Sequence, residues 1–340
     1  MNLDLRHLEI IGTGSYLPER VVKNEEFIDK DLWTYDLNGN RVGESRRFTP
    51  EKIFEVTGIR ERRKCREYEW PSTMGCVAST RALEMAGVTA DSLVGIIIAT
   101  VGEKENFPSA AVKIQNQLNA RNVKIAYDFQ NACAGFPLAL IQANSMSRDF
   151  EGNWLVVGSE CLTKITDYTD INCHLFGDGA GAVVCSHTHE NRGILGVYSR
   201  SEPFEEGGVK GMDAIFRDSR ANYIRMPNGS VVLKRAVFSM VDSAKTLKKA
   251  VEWENADVYV PHQANERIIA GVESRLNEHG AVVYRTIQKY GNMSSATCPV
   301  ALDEAVRDGT IAKNLDGKGS RVIITSFGSG LVTSAVAVQF

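Results

Sequence analysis

Three residues of this chain have the types and positions to carry chemistry together: Cys133, His262 and Asn292, each at the edge of a secondary-structure element. Cys133 lies in DFQNACAGFPLAL (128–140), between a stretch with strand character (125–129) and an apolar helical stretch that begins at Pro137. Pro137 falls in the first helical turn, where a missing N–H costs little. At or just before a helix N-terminus, unpaired N–H groups and the positive dipole end favour a thiolate over a thiol of free pKa about 8.5. Cys133 therefore reads as a nucleophile, against the alternative of a buried structural cysteine. His262 follows a short strand in VYVPHQAN, and Asn292 precedes a small-residue helix in YGNMSSATCPVAL. A thiolate exchanges one thioester for another at little net cost. A neutral imidazole N–H and an amide N–H both donate to negative charge developing on a carbonyl oxygen. That combination suits the enolate formed when a malonyl thioester loses carbon dioxide, and Asn292 cannot serve as a general base.

The elements that must position these residues alternate between strands and helices. Strands are expected at 7–14, 93–100, 125–129, 154–158, after the glycine turn at 175–186, and at 193–199, with helices at 72–86 and 107–118 between them. The second half continues with a long amphipathic helix (231–253), strands at 258–260 and 282–284, and closing strands at 321–325 and 333–339. This is an α/β architecture. An internal echo sharpens it: FPLAL (136–140) matches CPVAL (298–302), and FGDG (176–179) matches FGSG (327–330), in the same order and at similar spacing. A duplicated α/β unit with halves packed about a pseudo-twofold axis follows, divided as 1–192 with the cysteine and 193–340 with the histidine and asparagine. The helix start at Cys133 then has a counterpart near Ser295, and two helix starts face one cavity. Outside this pattern, 32–47 (LWTYDLNGNRVGESRR) reads as a polar excursion, and TGIRERRK (57–64) by itself as a solvated basic face.

Composition narrows the classes. The chain has 340 residues, 43% of them hydrophobic and 24% charged, with a net charge of −3, so no global field points to nucleic acid or an anionic membrane. Its N-terminus lacks a basic region followed by an apolar run, and no stretch approaches a transmembrane length; a cytoplasmic protein is the expectation. The seven cysteines include no C-x-x-C, so neither a disulfide framework nor a metal site is indicated, and Cys161, Cys173 and Cys185 read as core thiols. Gly177-x-Gly179-x-x-Ala182 precedes a strand, whereas a dinucleotide fingerprint follows one and opens a helix.

Eight phrases, spanning nearly the whole chain, carry a family likeness: TGIRERR (57–63), FPSAA (107–111), ACAGF (132–136), FGDGAGAV (176–183), PHQAN (261–265), YGNMSSAT (290–297), ALDEA (301–305) and FGSG (327–330). In these the sequence resembles the β-ketoacyl-acyl-carrier-protein synthase III family of the thiolase-like superfamily. The resemblance implies a duplicated, five-layered αβαβα thiolase-like fold, a homodimer, and a catalytic Cys133, His262 and Asn292. It implies an oxyanion hole from the N–H groups of Cys133 and Ser329, and a substrate pocket with Phe107 (reaching across to a partner), Phe327 and Asn265. Acyl carrier protein would dock on Lys234 and Arg267, with Arg235, Lys248 and Lys249 as extensions. The implied reaction is decarboxylative Claisen condensation of an acyl thioester with malonyl-carrier, using CoA or carrier thioesters as substrates and no cofactor. Acyl transfer to an alcohol or amine, or another non-elongating condensation in secondary metabolism, is the alternative. Two positions depart from the family: the adenine-stacking tryptophan and its opposing arginine are replaced by Lys52 and Ile171, with Phe54 or Trp33 as the nearest aromatic substitutes. Glu103 and Glu105, in the loop before Phe107, are further candidates to approach the pocket.

Overall fold

The computed structural model describes residues 7–202, 211–218, 220–312 and 319–340. The first half runs β1 (His7–Tyr16), α1 (Pro71–Ala86), β2 (Leu93–Ala99), α2 (Ala110–Leu118), β3 (Ile125–Phe129), α3 (Gly135–Met146), β4 (Asn153–Cys161) and β5 (Asp178–Thr188). The second repeats that order: β6 (Gly193–Ser201), α4 (Gly229–Ala250), β7 (Val258–Pro261), α5 (Glu266–Leu276), β8 (Val282–Val283), α6 (Thr297–Arg307), β9 (Arg321–Gly328) and β10 (Val332–Gln339). The two five-stranded sheets have the orders β1-β5-β4-β2-β3 and β6-β10-β9-β7-β8, which are the same topology. Parallel and antiparallel pairs correspond as well: β2 pairs parallel with β3 and β4, and β7 with β8 and β9. The short sequence echo is thus the trace of a duplicated thiolase-like fold.

Burial sorts the elements into five layers. Every residue of β2, LVGIIIA, is buried, as a strand covered on both faces requires. On one outer side, Met74, Ala78 and Leu83 of α1 and Ile114 of α2 pack on Ile96, Ile98 and Leu155. On the other, Met240 and Leu247 of α4 and Ile269 and Val272 of α5 pack on Tyr259 and Ile323. Between the sheets, Phe136 and Leu140 of α3 meet Ala301 and Leu302 of α6, with Ile97, Val156, Val260 and Ile324 above and below. Cys161, Cys173, Cys185 and Cys298 are all buried free thiols.

Two segments are more ordered into the body than their composition suggests. The 32–47 excursion is a β-hairpin, Leu32–Tyr35 with Arg41–Arg46, turning through Asn38 and Gly39 at φ 75°. Leu32 and Tyr35 are buried, the Tyr35 hydroxyl is 2.7 Å from Thr169 Oγ1, and the backbone of Trp33 pairs with Thr169 and Ile171. The Arg225 guanidinium lies 3.8 Å from the Tyr35 ring centre and is ion-paired to Asp167 and Asp170 at 2.9 and 3.1 Å. The basic run is not uniformly a solvated face either. Arg62 is 1% exposed and donates to Val22 O, Asn24 Oδ1 and His174 O at 3.2, 2.9 and 2.7 Å. Those acceptors offset the desolvation of its charge, which a charge count along the sequence cannot reveal.

Candidate active site

The two helix starts of the central layer converge on a cavity of about 580 Å³. Cys133 lies in a single 3-10 turn, Ala132–Ala134, that runs into α3; its counterpart is the turn Ser294–Ala296, which runs into α6. Each turn opens on a non-glycine residue in the left-handed region, Ala132 at φ 43° and Ser294 at φ 46°. Such residues cost about 1–3 kcal/mol and persist where the surroundings over-determine them. Their recurrence at equivalent positions marks these bends as a built feature of the site. Cys133, His262, Asn292, Ser294, Asn265, Phe327 and Ser329 all line the cavity, whose remaining wall is mainly apolar.

The C-terminal glycine turn closes on the cysteine from above. A Cβ on Gly328 would lie 2.8 Å from Ala134 N and 3.1 Å from Cys133 N, so only glycine permits this approach. Ser326 Oγ donates to Cys133 O at 2.5 Å, tying β9 to the same turn, and Ser329 Oγ donates to Ile215 O. The main chain leading into Ser329 is thereby held against the Cys133 turn.

Hydrogen-bond partners orient the other two groups. Asn292 Oδ1 accepts from the Ser294 N–H at 2.8 Å, which assigns the amide oxygen and leaves its NH2 as the group free to donate. Its backbone is clamped to the FGDG turn, Asn292 N–H to Leu175 O at 2.9 Å and Gly177 N–H to Asn292 O at 3.0 Å. His262 Nδ1 is 2.6 Å from Thr297 Oγ1, and that hydroxyl is 3.0 Å from Ser294 O. That contact holds Nδ1 and leaves Nε2 as the ring nitrogen facing away from Thr297.

Electrostatics correct one expectation. The Cys133 thiol is pushed up to about 12, chiefly by burial, with the Glu160 carboxyl adding to the shift and Ser294 opposing it. Loss of hydration outweighs the helix-end effect expected to favour a thiolate, so the unliganded cysteine is a thiol. Burial likewise pulls His262 down to about 3, so the imidazole is neutral at physiological pH.

The other expected site residues divide. Phe327 is buried against the cavity, and Asn265 caps α5, accepting from the Arg267 N–H at 2.8 Å. Phe107 is 85% exposed and is not part of this chain's cavity wall. Lys234 and Arg267 are exposed on α4 and α5, and Lys249 is exposed as well. Arg235 and Lys248, by contrast, are ion-paired to Glu202 and Glu278. Glu103 and Glu105 are both held by Lys113, at 3.0 and 2.6 Å, and neither lines the cavity. Lys52 is exposed and paired to Glu55 at 2.8 Å, while Ile171 packs in the apolar cluster beneath Leu32. Phe54 is stacked by Arg60 at 4.1 Å and Trp33 by Arg41 at 4.9 Å, so both substitutes already have a cationic partner.

Sequence reasoning missed Glu160, Ser294, Ser295, Thr297 and Ser326, all buried around the three central groups. One signal was available: Glu160 interrupts the apolar run LVVGSEC, and a charged residue inside a strand buried on both faces needs a reason.

The duplicated sheets, the central helix pair and a cysteine at the start of one of those helices are the features of a thiolase-like acyltransferase. The family described as 3-oxoacyl-[acyl-carrier-protein (ACP)] synthase III matches residues 127–203, and its C-terminal part matches 247–340. A β-ketoacyl-[acyl-carrier-protein] synthase III of Oceanobacillus iheyensis is 38% identical over 338 residues, covering 98% of this chain and 99% of that protein. Among solved structures, 3-oxoacyl-[acyl-carrier-protein] synthase III from Aquifex aeolicus VF5 superposes with a TM-score of 0.85 at 34% identity, covering 98% of this chain and 100% of the other. The priming β-ketosynthase of the R1128 polyketide pathway gives 0.85 at 31% identity over 98% and 96%. The chain belongs to the β-ketoacyl-[acyl-carrier-protein] synthase III family.

Proposed function

We propose that this enzyme catalyses the decarboxylative condensation of an acyl thioester with malonyl-acyl carrier protein, through an acyl group held on Cys133. In the first half-reaction the Cys133 sulfur attacks the donor thioester, its proton leaves with the departing thiol, and the N–H groups of Cys133 and Ser329 hold the carbonyl oxygen as it becomes negative. In the second, the malonyl carboxylate leaves as carbon dioxide and its bonding electrons pass into an enolate. The His262 Nε2–H and the Asn292 amide donate to that enolate oxygen. The enolate carbon attacks the acyl carbonyl, and collapse expels the Cys133 sulfur, which regains a proton from water.

The observation that carries this reading is the pair of oriented neutral donors opposite one cysteine in a single cavity. The relatives' names as β-ketoacyl synthases favour condensation over acyl transfer to an alcohol or amine. The acyl donor is a thioester of CoA or of a carrier protein, and the acidic carrier docks on Lys234 and Arg267, whose exposure supports that role. The exposed Phe107 supports a homodimer in which it closes the partner's pocket; a cytoplasmic location completes the reading. Among the described residues, no helix is long and apolar enough to cross a membrane. Intact-mass measurement after incubation with acyl-CoA and acyl-carrier thioesters tests the loading step, and malonyl-carrier then tests the second. A β-keto product with carbon dioxide released is expected; equal loading of Cys133→Ala, or a product formed without decarboxylation, refutes the reading.

A further inference from the structure

Glu160, at the cavity end of β4, is buried between the two helix starts and takes no part in the chemistry above. Its Oε2 accepts from the Val101 N–H at 3.0 Å, with Thr100 Oγ1 further off at 3.4 Å. Its Oε1 is 2.9 Å from Ser295 Oγ, and that same hydroxyl is 2.8 Å from Ala99 O. A serine hydroxyl has one proton. If Glu160 were ionised, Glu160 Oε1 and Ala99 O would compete for it in a buried setting where an unpaired acceptor is costly. If Glu160 is a carboxylic acid, it donates to Ser295 Oγ, Ser295 donates to Ala99 O, and that competition is removed.

The surroundings supply no compensating positive charge. Facing Glu160 are Thr100, Val101 and Gly102 from the loop after β2, Ser294 and Ser295 from the turn before α6, and the Cys133 thiol from the turn before α3. Of these only Cys133 is ionisable. Cys161, the next residue, projects to the opposite face of β4, toward Cys65 and Asp178. Ser294 Oγ, buried without a full hydrogen bond, lies near enough to both the thiol and the carboxyl to favour their charged forms.

We propose that Glu160 is a positioning residue for the nucleophile: a carboxylic acid kept protonated through Ser295, whose ionisation places a negative charge beside Cys133 and suppresses the thiolate. The direction of its titration agrees, since burial pushes the carboxyl up to about 7 and the carboxyl in turn raises the thiol. Proton loss from Glu160 is therefore the event that limits the reactivity of Cys133 as pH rises. This rests on the reading of Cys133 as the nucleophile, but it concerns only the ionisation of the thiol and needs no assumption about the condensation.

The test is the rate of Cys133 alkylation by iodoacetamide from about pH 5.5 to about pH 9, with the labelled residue identified by peptide mass. In the wild type the rate should climb tenfold per pH unit at first, rise only about threefold per unit just above neutrality as Glu160 ionises, and then resume its climb about tenfold lower. Glu160→Gln keeps the shape, the donor to Ser295 and the acceptor for Val101, but cannot ionise. Its rate should climb without a break and exceed the wild type about tenfold at the alkaline end, the effect of one pKa unit. A purely structural role would move the melting temperature and leave the shape of the profile intact. An inflection retained in Glu160→Gln overturns the proposal alone, whereas label that does not fall on Cys133 overturns both it and the reading beneath it. If Glu160→Gln does not fold, the wild-type profile decides: an inflection near neutrality supports the proposal, and an unbroken tenfold rise per unit refutes it.

Discussion

Gly328→Ala is the most direct test of how the C-terminal glycine turn serves the nucleophile. The residue sits at φ −142°, extended backbone open to any amino acid, so alanine brings no conformational strain. Its added Cβ, however, would lie 2.8 Å from Ala134 N and 3.1 Å from Cys133 N. Carbon and backbone atoms pack comfortably at about 3.5 Å, so the turn must retreat by roughly 0.7 Å from rigid main chain. A hydrogen bond near 2.9 Å stretched by that much is effectively lost. The carbonyl oxygen on Cys133 would then keep one N–H donor of two, a loss of about 10²–10³ in the acylation rate. Overpacking adds about 1–3 kcal/mol of destabilisation. Gly330→Ala provides the contrast: its φ of 75° imposes roughly 1–2 kcal/mol of strain on alanine, yet its Cβ meets nothing nearer than Val332 Cγ2 at 3.8 Å. Time-resolved intact mass with an acyl thioester reports acylation, and calorimetry reports stability. Gly328→Ala should lose far more rate than Gly330→Ala at comparable stability loss. Acylation by Gly328→Ala within about threefold of wild type would refute the oxyanion assignment to this turn.

Thr297→Val removes the partner of His262 Nδ1 and should slow malonyl decarboxylation by about 10-fold or more, whereas Thr297→Ser should restore it; carbon dioxide release measures both. Arg62→Met leaves Val22 O, Asn24 Oδ1 and His174 O without their donor, and a loss of about 3–5 kcal/mol should appear in denaturant unfolding, with no change in the alkylation profile of Cys133. His262 and His174 are held neutral by burial, down to about 3 and about 4, below an unfolded value of about 6.5. As pH falls below about 6.5 the unfolded chain binds protons first, so their contribution favours unfolding progressively toward about pH 4. Glu160, pushed up from about 4.5 to about 7, adds the opposite slope between those values and overlaps the histidine range, so His174→Gln, measured by melting temperature against pH, should isolate the histidine contribution. Lys234→Glu with Arg267→Glu should raise KM for malonyl-carrier several-fold with little change in kcat, and high salt should narrow the difference.

Much of the fold was legible because its signals are local. Strand and helix periodicity, each phrase of the FPLAL/CPVAL and FGDG/FGSG pairs and the bend at Cys133 are read from short stretches of chain, and each corresponds to an element or turn in the structure. Boundaries moved by a few residues: α4 begins at Gly229 and β1 extends to Tyr16, because packing across layers carries elements past their own pattern. The 32–47 excursion was misjudged as merely polar, since its anchoring depends on Tyr35 meeting Arg225 and Thr169, residues far away in the chain.

By itself the sequence determined the duplicated α/β architecture and the turns that carry the candidate groups, since periodicity and glycine placement act over short range. Only the tertiary structure decided how those groups are charged and aimed. Burial reversed the expected direction for Cys133, Thr297 holds one nitrogen of His262 and leaves the other facing away from it, and Ser295 links Glu160 to Ala99 O. Desolvation and hydrogen-bond partnership are properties of what closes around a group in space, and here that enclosure is built from both halves of the chain at once.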